Sequence, residues 1–199
     1  MKFQMPKVRT WIEINKNALH SNVERFLRLI PKDTRLMTVI KSNAYGHGLV
    51  HIAKALLTFQ SFSEGGWLGV DSITEGLTLR REGIKNPILV LGYTIPYLFP
   101  EAFRKELIIS VADFSSLNEL GRLKNKPKFF IKIDSGMHRR GFLPEETKQL
   151  FSLLKNKNLK PQGIFSHFAS ASDVAHKFHS KKQIKIFQNI SDQFKMAGF

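Results

Sequence analysis

Lys41 closes an apolar run, LMTVI, and is followed at once by SNAYGHG. A lysine amine beside cationic or apolar neighbours can lose its proton and then attack an aldehyde or relay a proton. Asp71, Gly92, Asp134 and His167 stand at corresponding places after other short apolar runs. If those runs are parallel strands, their carboxyl ends share one face, so that a lysine, carboxylates and a histidine meet around one pocket. Tyr45 and the glycines after it offer a phenol hydroxyl and backbone amides near a helix start, which suits a phosphate. On position alone a plainer reading stands for Lys41, that of a surface lysine at a strand end.

Other chemistries have less support. His47 and His51 lie four apart, and His176 and His179 three apart, which is metal-ligand spacing. Without HExxH, cysteine or a clustered carboxylate they read as solvated or packing histidines, and no metal is expected. Ser135 and Ser166 lie near histidines, but no GxSxG elbow accompanies them. Walker and GxGxxG patterns are missing. The chain has no cysteine, which removes disulfides, Cys-based zinc sites and a thiol nucleophile.

The elements that must position these groups alternate. Thr10 to Ile14 reads as a short strand, and Asn15 caps a helix, KNALHSNVERFLRLI, that Pro31 ends. The Lys41 strand follows, with a helix from about His47 to Phe59. WLGV, ILVLG, LIISVAD, KFFIKID and PQGIFSHF are further strands. Helices separate them: one stopped by Gly83, a Pro-interrupted TIPYLFPEAFRKE, Phe114 to Leu123, EETKQLFSLLKNK, and a largely helical stretch from Asp173 to Met196. Six such strands alternating with helices predict βαβ units and a parallel sheet, as a doubly wound sheet or an incomplete (β/α)8 barrel. No linker marks a second domain, so residues 1–199 are read as one.

Composition sets the class. Across 199 residues, 42% hydrophobic and 24% charged, the chain is ordinary for a globular protein. The N-terminus has no apolar signal region and no window matches a membrane span, so a cytoplasmic chain with no membrane partner is expected. The net charge of +15 raises the question of an anionic partner. The basic residues are spread through KNKPK, KNKNLK and HSKKQIK, which favours solvated faces over a nucleic-acid footprint.

The joint pattern says more than any part. VIKSNAYGHG closely resembles the cofactor-lysine motif of alanine racemases, which use pyridoxal 5'-phosphate on a (β/α)8 barrel. FFIKIDSGMHRRGF is similar to that family's Asp-Thr-Gly-Met-x-Arg strand, and GIFSHFASASD to its Thr-His-Phe-Ala-x-Ala-Asp block, in the same order. WIEIN, GVDSITEGLTLR and PILVLGY look like family blocks too, so the resemblance runs nearly end to end. It implies that Lys41 holds the cofactor covalently and serves as one of two catalytic bases, and that Tyr45 binds the cofactor phosphate. It further implies Arg139 near the cofactor's phenolic oxygen and the substrate carboxylate, and His167 by the cofactor ring. Lys132 matches a lysine often carbamylated in the family, where it steadies that arginine. Two positions depart from the pattern: Ser135 replaces a threonine and Arg140 an apolar residue.

The family pattern continues through two more strands and a C-terminal β domain. The resemblance therefore implies an N-terminal piece of a homodimeric racemase acting on alanine, inactive by itself because the second base, a tyrosine, comes from the other subunit. D-alanine for peptidoglycan synthesis is the implied product. Rival readings are a racemase of the same family acting on another amino acid such as serine or lysine, a single-domain non-catalytic carrier of pyridoxal phosphate, and a basic nucleic-acid-binding module.

Overall fold

Each apolar run between two polar turns becomes a strand, and each amphipathic segment a helix. The computed structural model describes residues 10–171, 173 and 177–199. The chain runs through α1 (Lys16–Leu29), β1 (Met37–Val39), a single left-handed turn α2 (Lys41–Tyr45), α3 (Leu49–Leu57), α4 (Gln60–Ser63) and β2 (Trp67–Val70). It continues through α5 (Ile73–Arg81), β3 (Ile88–Tyr93), α6 (Phe99–Arg104), β4 (Ile108–Val111) and α7 (Phe114–Arg122). Last come β5 (Phe129–Lys132), α8 (Thr147–Asn156), β6 (Gly163–Phe165) and α9 (Lys177–Met196). Short 3₁₀ turns, Pro96–Leu98 and Pro144–Glu146, lead into α6 and α8. Each has a proline in its first turn, where a missing N–H costs nothing.

All six strands are parallel and pair in sequence order, β1-β2-β3-β4-β5-β6. This settles the choice left open by the alternation. A doubly wound sheet reverses its order at a switch point, whereas a (β/α)8 barrel adds each strand beside the last. The architecture is thus an incomplete (β/α)8 barrel of six strands. Thr10 to Ile14 forms no strand. Its alternation is real, but β1 pairs only with β2, and a strand without a partner leaves its backbone to solvent.

Side-chain alternation divides the sheet into two faces. Leu68, Val70, Ile88, Val90, Ile109, Val111, Phe129 and Ile131 are buried and join one core with residues of the surrounding helices such as Leu56, Leu79, Leu117 and Leu150. The other face is the barrel interior. There Trp67 meets Phe130 edge to face at 5.9 Å, and a side chain at Gly69 would press on Leu91 and Val39 at 3.2–3.3 Å. Met37, Val39 and Lys41 share this inner face through two-residue spacing, so the β1 pattern itself aims Lys41 into the barrel mouth.

Local caps anchor the helices that frame the mouth. The Asn15 side chain accepts from Asn17 N and Ala18 N, Ser72 Oγ from Glu75 N, and Asp113 Oδ1 from Ser116 N. Arg80, half-buried at the opposite end, donates to the carbonyls of Ile84, Asn86, Lys105 and Glu106 and ties two loops to α5.

Gly92 marks the closest approach at the mouth. Its N–H donates to Asp71 O at 3.0 Å, and a Cβ there would lie 2.3 Å from that oxygen. Gly92→Ala is therefore expected to cost about 3 kcal/mol, because backbone rather than a flexible side chain must move. Gly65→Ala is the control, since nothing lies within 4 Å of its added carbon. It should stay within about 0.5 kcal/mol of the parent in denaturant unfolding.

Candidate functional site

The site begins at the left-handed turn. Ser42, Asn43, Ala44 and Tyr45 have φ of +54°, +55°, +53° and +53°. Such a conformation costs an ordinary L-residue roughly 1–2 kcal/mol, so it persists only where neighbours fix it. Glu75 supplies the main hold: Oε1 accepts from Asn43 N at 3.1 Å and Oε2 from Asp71 N at 2.8 Å. Asn43 then turns outward to cap the next helix, its Oδ1 accepting from Leu49 N at 2.8 Å. His47 Nδ1–H donates to Ala44 O at 2.8 Å, and Ala44 N donates to Ile40 O at 2.8 Å. The loop after Lys41 is thus tied at every turn, and α3 begins at Leu49 rather than at His47.

Lys41 emerges from this support with Nζ 3.7 Å from Asp71 Oδ1. Both side chains are partly exposed, so the pair orients the amine more than it binds it. Beside them opens a cleft of about 510 Å³ that includes Tyr45, Tyr93, Lys132, Arg139 and His167 in its lining. Lys41, Tyr45, Lys132, Arg139 and His167, scattered over 127 positions of sequence, meet here. Asp71 and Gly92 line it as well.

Asp134 does not. Its carboxylate is buried and accepts from the N–H groups of Gly136, Met137, His138 and Arg139 at 2.8–3.1 Å. Burial alone would raise its pKa, but these four donors outweigh burial and hold the carboxyl below the ordinary value. Asp134 shapes the loop that carries Arg139. Gly141 closes that loop at φ +153°, where a Cβ would lie 2.6 Å from Asp134 N. Ser135 Oγ and Ser166 Oγ, 2.7 Å apart, join it to the loop after β6. They form a tie between loops, each hydroxyl partnered by the other.

The cleft is strongly cationic. Among the described residues, Lys41, Lys132, Arg139 and Arg140 line it with one carboxylate, Asp71, while Asp113 outside the lining caps α7 and accepts from Arg140 Nη2 at 2.6 Å. Arg140 also stacks over the Tyr93 ring at 4.1 Å. Burial and then the Arg139 and Arg140 charges, partly opposed by Asp134, press the Lys132 amine below its ordinary pKa. Burial followed by Arg139, Lys132 and Lys41 does the same to the His167 imidazole. The excess of cations over carboxylates in the lining favours an anion.

Sequence reasoning missed Glu75 and Gln183. Glu75 carries a visible signal, the S-x-x-E of Ser72 to Glu75, but its carboxylate reaches Asp71 N and Asn43 N instead of the cap's own N–H. Gln183 has no local signal. Of the paired histidines, His47 and His179 are occupied by backbone carbonyls, and His176 lies outside the described residues. Among the described residues no group of three or more His, Asp or Glu side chains could hold a metal, and no helix is long and apolar enough to cross a membrane.

With this geometry in view, comparison with known proteins is direct. The family described as alanine racemase, N-terminal domain, matches residues 14–199. "Alanine racemase 1" of Oceanobacillus iheyensis is 37% identical over 194 residues, covering 95% of this chain and 50% of the relative. An "Amino-acid racemase" of Enterococcus faecalis is 34% identical over 192 residues, covering 96% of this chain and 26% of the relative. The solved alanine racemase of Clostridium difficile 630 superposes with a TM-score of 0.88 at 33% identity, over 98% of this chain and 54% of the other. The chain spans about half the length of the curated alanine racemases it matches.

The electrostatic reading is open to measurement. By NMR titration His167 should have its midpoint below the usual imidazole value of about 6.5. Arg139→Gln, which removes the leading charge against it, should raise that midpoint. The unfolded chain binds this proton at higher pH than the folded one, so the His167 contribution to stability should decline as pH falls through the ordinary imidazole range. An unmoved midpoint in Arg139→Gln would contradict the assignment of Arg139 as its main charged neighbour.

Proposed function

The chain belongs to the alanine racemase N-terminal domain family, and from that membership and the cleft's geometry we propose that it forms the pyridoxal phosphate-binding part of an amino-acid racemase. The proposed reaction interconverts L- and D-alanine. The observation that carries this reading is the convergence of Lys41, Tyr45, Lys132, Arg139 and His167, all matching family motifs, on one cationic cleft. Pyridoxal phosphate suits that donor set. The cofactor is an aldehyde with a phosphate and a phenolic oxygen, and the cleft offers an amine for the first and an excess of cations for the other two.

When bound, the cofactor supplies an electron sink that makes the hydrogen on the substrate's α-carbon acidic. The residues do the rest. Lys41, placed by the β1 strand end and the left-handed turn, would hold the cofactor through its amine and would exchange a proton with one face of the substrate. The Tyr45 phenol donates to the phosphate. Arg139, on the loop shaped by Asp134, would bind the substrate carboxylate and the cofactor's phenolic oxygen, and His167 would help hold the cofactor. Racemisation also requires a group on the opposite face. In the proposed homodimer a tyrosine of the other subunit serves it.

Lys132 fits carbamylation on chemical grounds. Carbon dioxide reacts with a neutral amine, and burial together with Arg139 and Arg140 favours that form. The product is an anion and a released proton, which converts a repelled cation into a partner for Arg139.

A second reading keeps the chemistry and changes the substrate. The similarity to an amino-acid racemase of Enterococcus faecalis, and Arg140 where the family pattern has an apolar residue, favour testing other amino acids. A cytoplasmic location and a role in supplying D-alanine for peptidoglycan belong to the same proposal.

Addition of pyridoxal phosphate should give a borohydride-reducible absorbance band, with the reduced adduct on the Lys41 peptide by mass spectrometry and lost in Lys41→Ala. Tyr45→Phe should weaken binding by about tenfold, the worth of one hydrogen bond to a charged oxygen. An adduct spread over surface lysines, unchanged in Lys41→Ala, would refute the assignment. Racemisation of each alanine enantiomer, compared with serine and lysine in the protein carrying this chain, separates the two substrate readings.

A further inference from the structure

Arg139 and His167 both sit on exposed loop backbone, yet a cofactor site requires groups held to within a fraction of an ångström. What holds them lies on α9. Gln183 is 1% exposed, although glutamine is mostly a surface residue. Both ends of its amide are used: Nε2 donates to His167 O at 3.0 Å, and Oε1 accepts from Ala169 N at 3.1 Å. It therefore grips the backbone on both sides of Phe168. One turn earlier, His179 Nε2–H donates to Gly136 O at 3.0 Å, in the loop that leads to Arg139.

The helix can serve as a fixed post. Its far end is packed into the core through Ile190 and Phe194, with Phe194 edge to face on Phe151 at 4.9 Å, and Gln193 Oε1 accepts from Thr147 Oγ1 at 3.1 Å. We propose that α9 is a two-armed positioning element, in which Gln183 fixes the His167 loop and His179 fixes the Arg139 loop in register with each other. Neither residue lines the main cleft, so both act through the loops. The same device stands at the other end of the sheet. There Glu75 of α5, the helix after β2, holds the loops after β1 and β2 together, as α9, the helix after β6, holds those after β5 and β6. The functional consequence rests on the cleft binding pyridoxal phosphate; the mechanical claim does not.

The test uses Gln183→Met, close in volume but unable to bond, and Gln183→Glu, whose carboxylate keeps the acceptor for Ala169 N and loses the donor for His167 O. Amide exchange at Ala169 and the His167 ring resonances are followed by NMR, and pyridoxal phosphate binding by titration. Gln183→Met should speed Ala169 exchange, move the His167 resonances and weaken cofactor binding by about tenfold. Gln183→Glu should leave Ala169 slow while still moving His167. That split separates positioning from mere support of the fold. His179→Phe should loosen Gly136 to Arg139 and leave Ala169 unchanged. If Gln183→Met shows no cooperative thermal transition, Gln183→Glu decides alone. Folded variants with His167 resonances and cofactor affinity like the parent overturn the proposal. If the parent binds no cofactor yet the exchange and resonance changes appear as stated, the positioning claim stands and the cofactor reading falls.

Discussion

Four successive residues in the left-handed region, Ser42 to Tyr45, set the terms for the site. At roughly 1–2 kcal/mol each they hold a strain of several kcal/mol, a large share of the net stability of about 5–15 kcal/mol that a domain commands. The turn survives because its polar groups find partners in one geometry only, above all Asn43 N on Glu75. It has a purpose that a plain loop would not serve. Ile40 and Ala44 stay buried on one side while Lys41 and Tyr45 remain at the cleft, so the chain anchors itself between the two residues it presents. Glu75 in turn fixes Asp71 N, and Asp71 O fixes Gly92 N, so the first three strand ends are locked by one connected set of bonds.

The charge balance of the mouth complements that rigidity. The available carboxylates are spent within the protein: Asp134 on its own loop, Glu75 on the turn and Asp113 on Arg140. Lys41 lies 3.7 Å from Asp71 and Arg140 is paired with Asp113, yet the cleft lining keeps more cations than carboxylates. Burial first, and the neighbouring cations second, press the Lys132 and His167 pKa values down. An incoming phosphate, phenolate or carboxylate meets an excess of cationic donors at the mouth, which favours an anion.

Much of this was legible beforehand, for physical reasons that differ by residue. The strands and helices announce themselves because burial imposes periods of 2 and 3.6 on side chains. The parallel barrel order could not be read from those periods, since a doubly wound sheet uses the same units; only the pairing decides it. Strand-end position and loop chemistry single out Lys41, Tyr45 and His167, motif resemblance adds Lys132 and Arg139, and all five meet in one cleft. Asp134 misled because a carboxylate at a strand end looks the same in sequence whether it faces a ligand or four of its own amides. The left-handed turn was hidden, since Asn43 favours that region but Ser42, Ala44 and Tyr45 do not. Thr10 to Ile14 alternates as a strand should, yet alternation supplies no pairing partner.

The arrangement also explains how a site made of loops reaches the accuracy of one made of strands. A loop's backbone is free in proportion to its unpaired N–H and C=O groups, and here groups near the working side chains are taken by side chains of a neighbouring helix or of the loop itself. Glu75 holds the backbone beside Lys41, Asp134 the backbone beside Arg139, and Gln183 the backbone beside His167. The Asp134 and Gln183 holds are partly buried polar contacts, costly to leave half made, while Glu75 restrains its two loops from a more exposed position. The working side chains can then stay exposed to solvent and ligand while the atoms behind them are as constrained as a core. Exposure at the tip and restraint at the base are separate variables in this fold, and the second is set by α5 beside Lys41, by Asp134 beside Arg139 and by α9 beside His167.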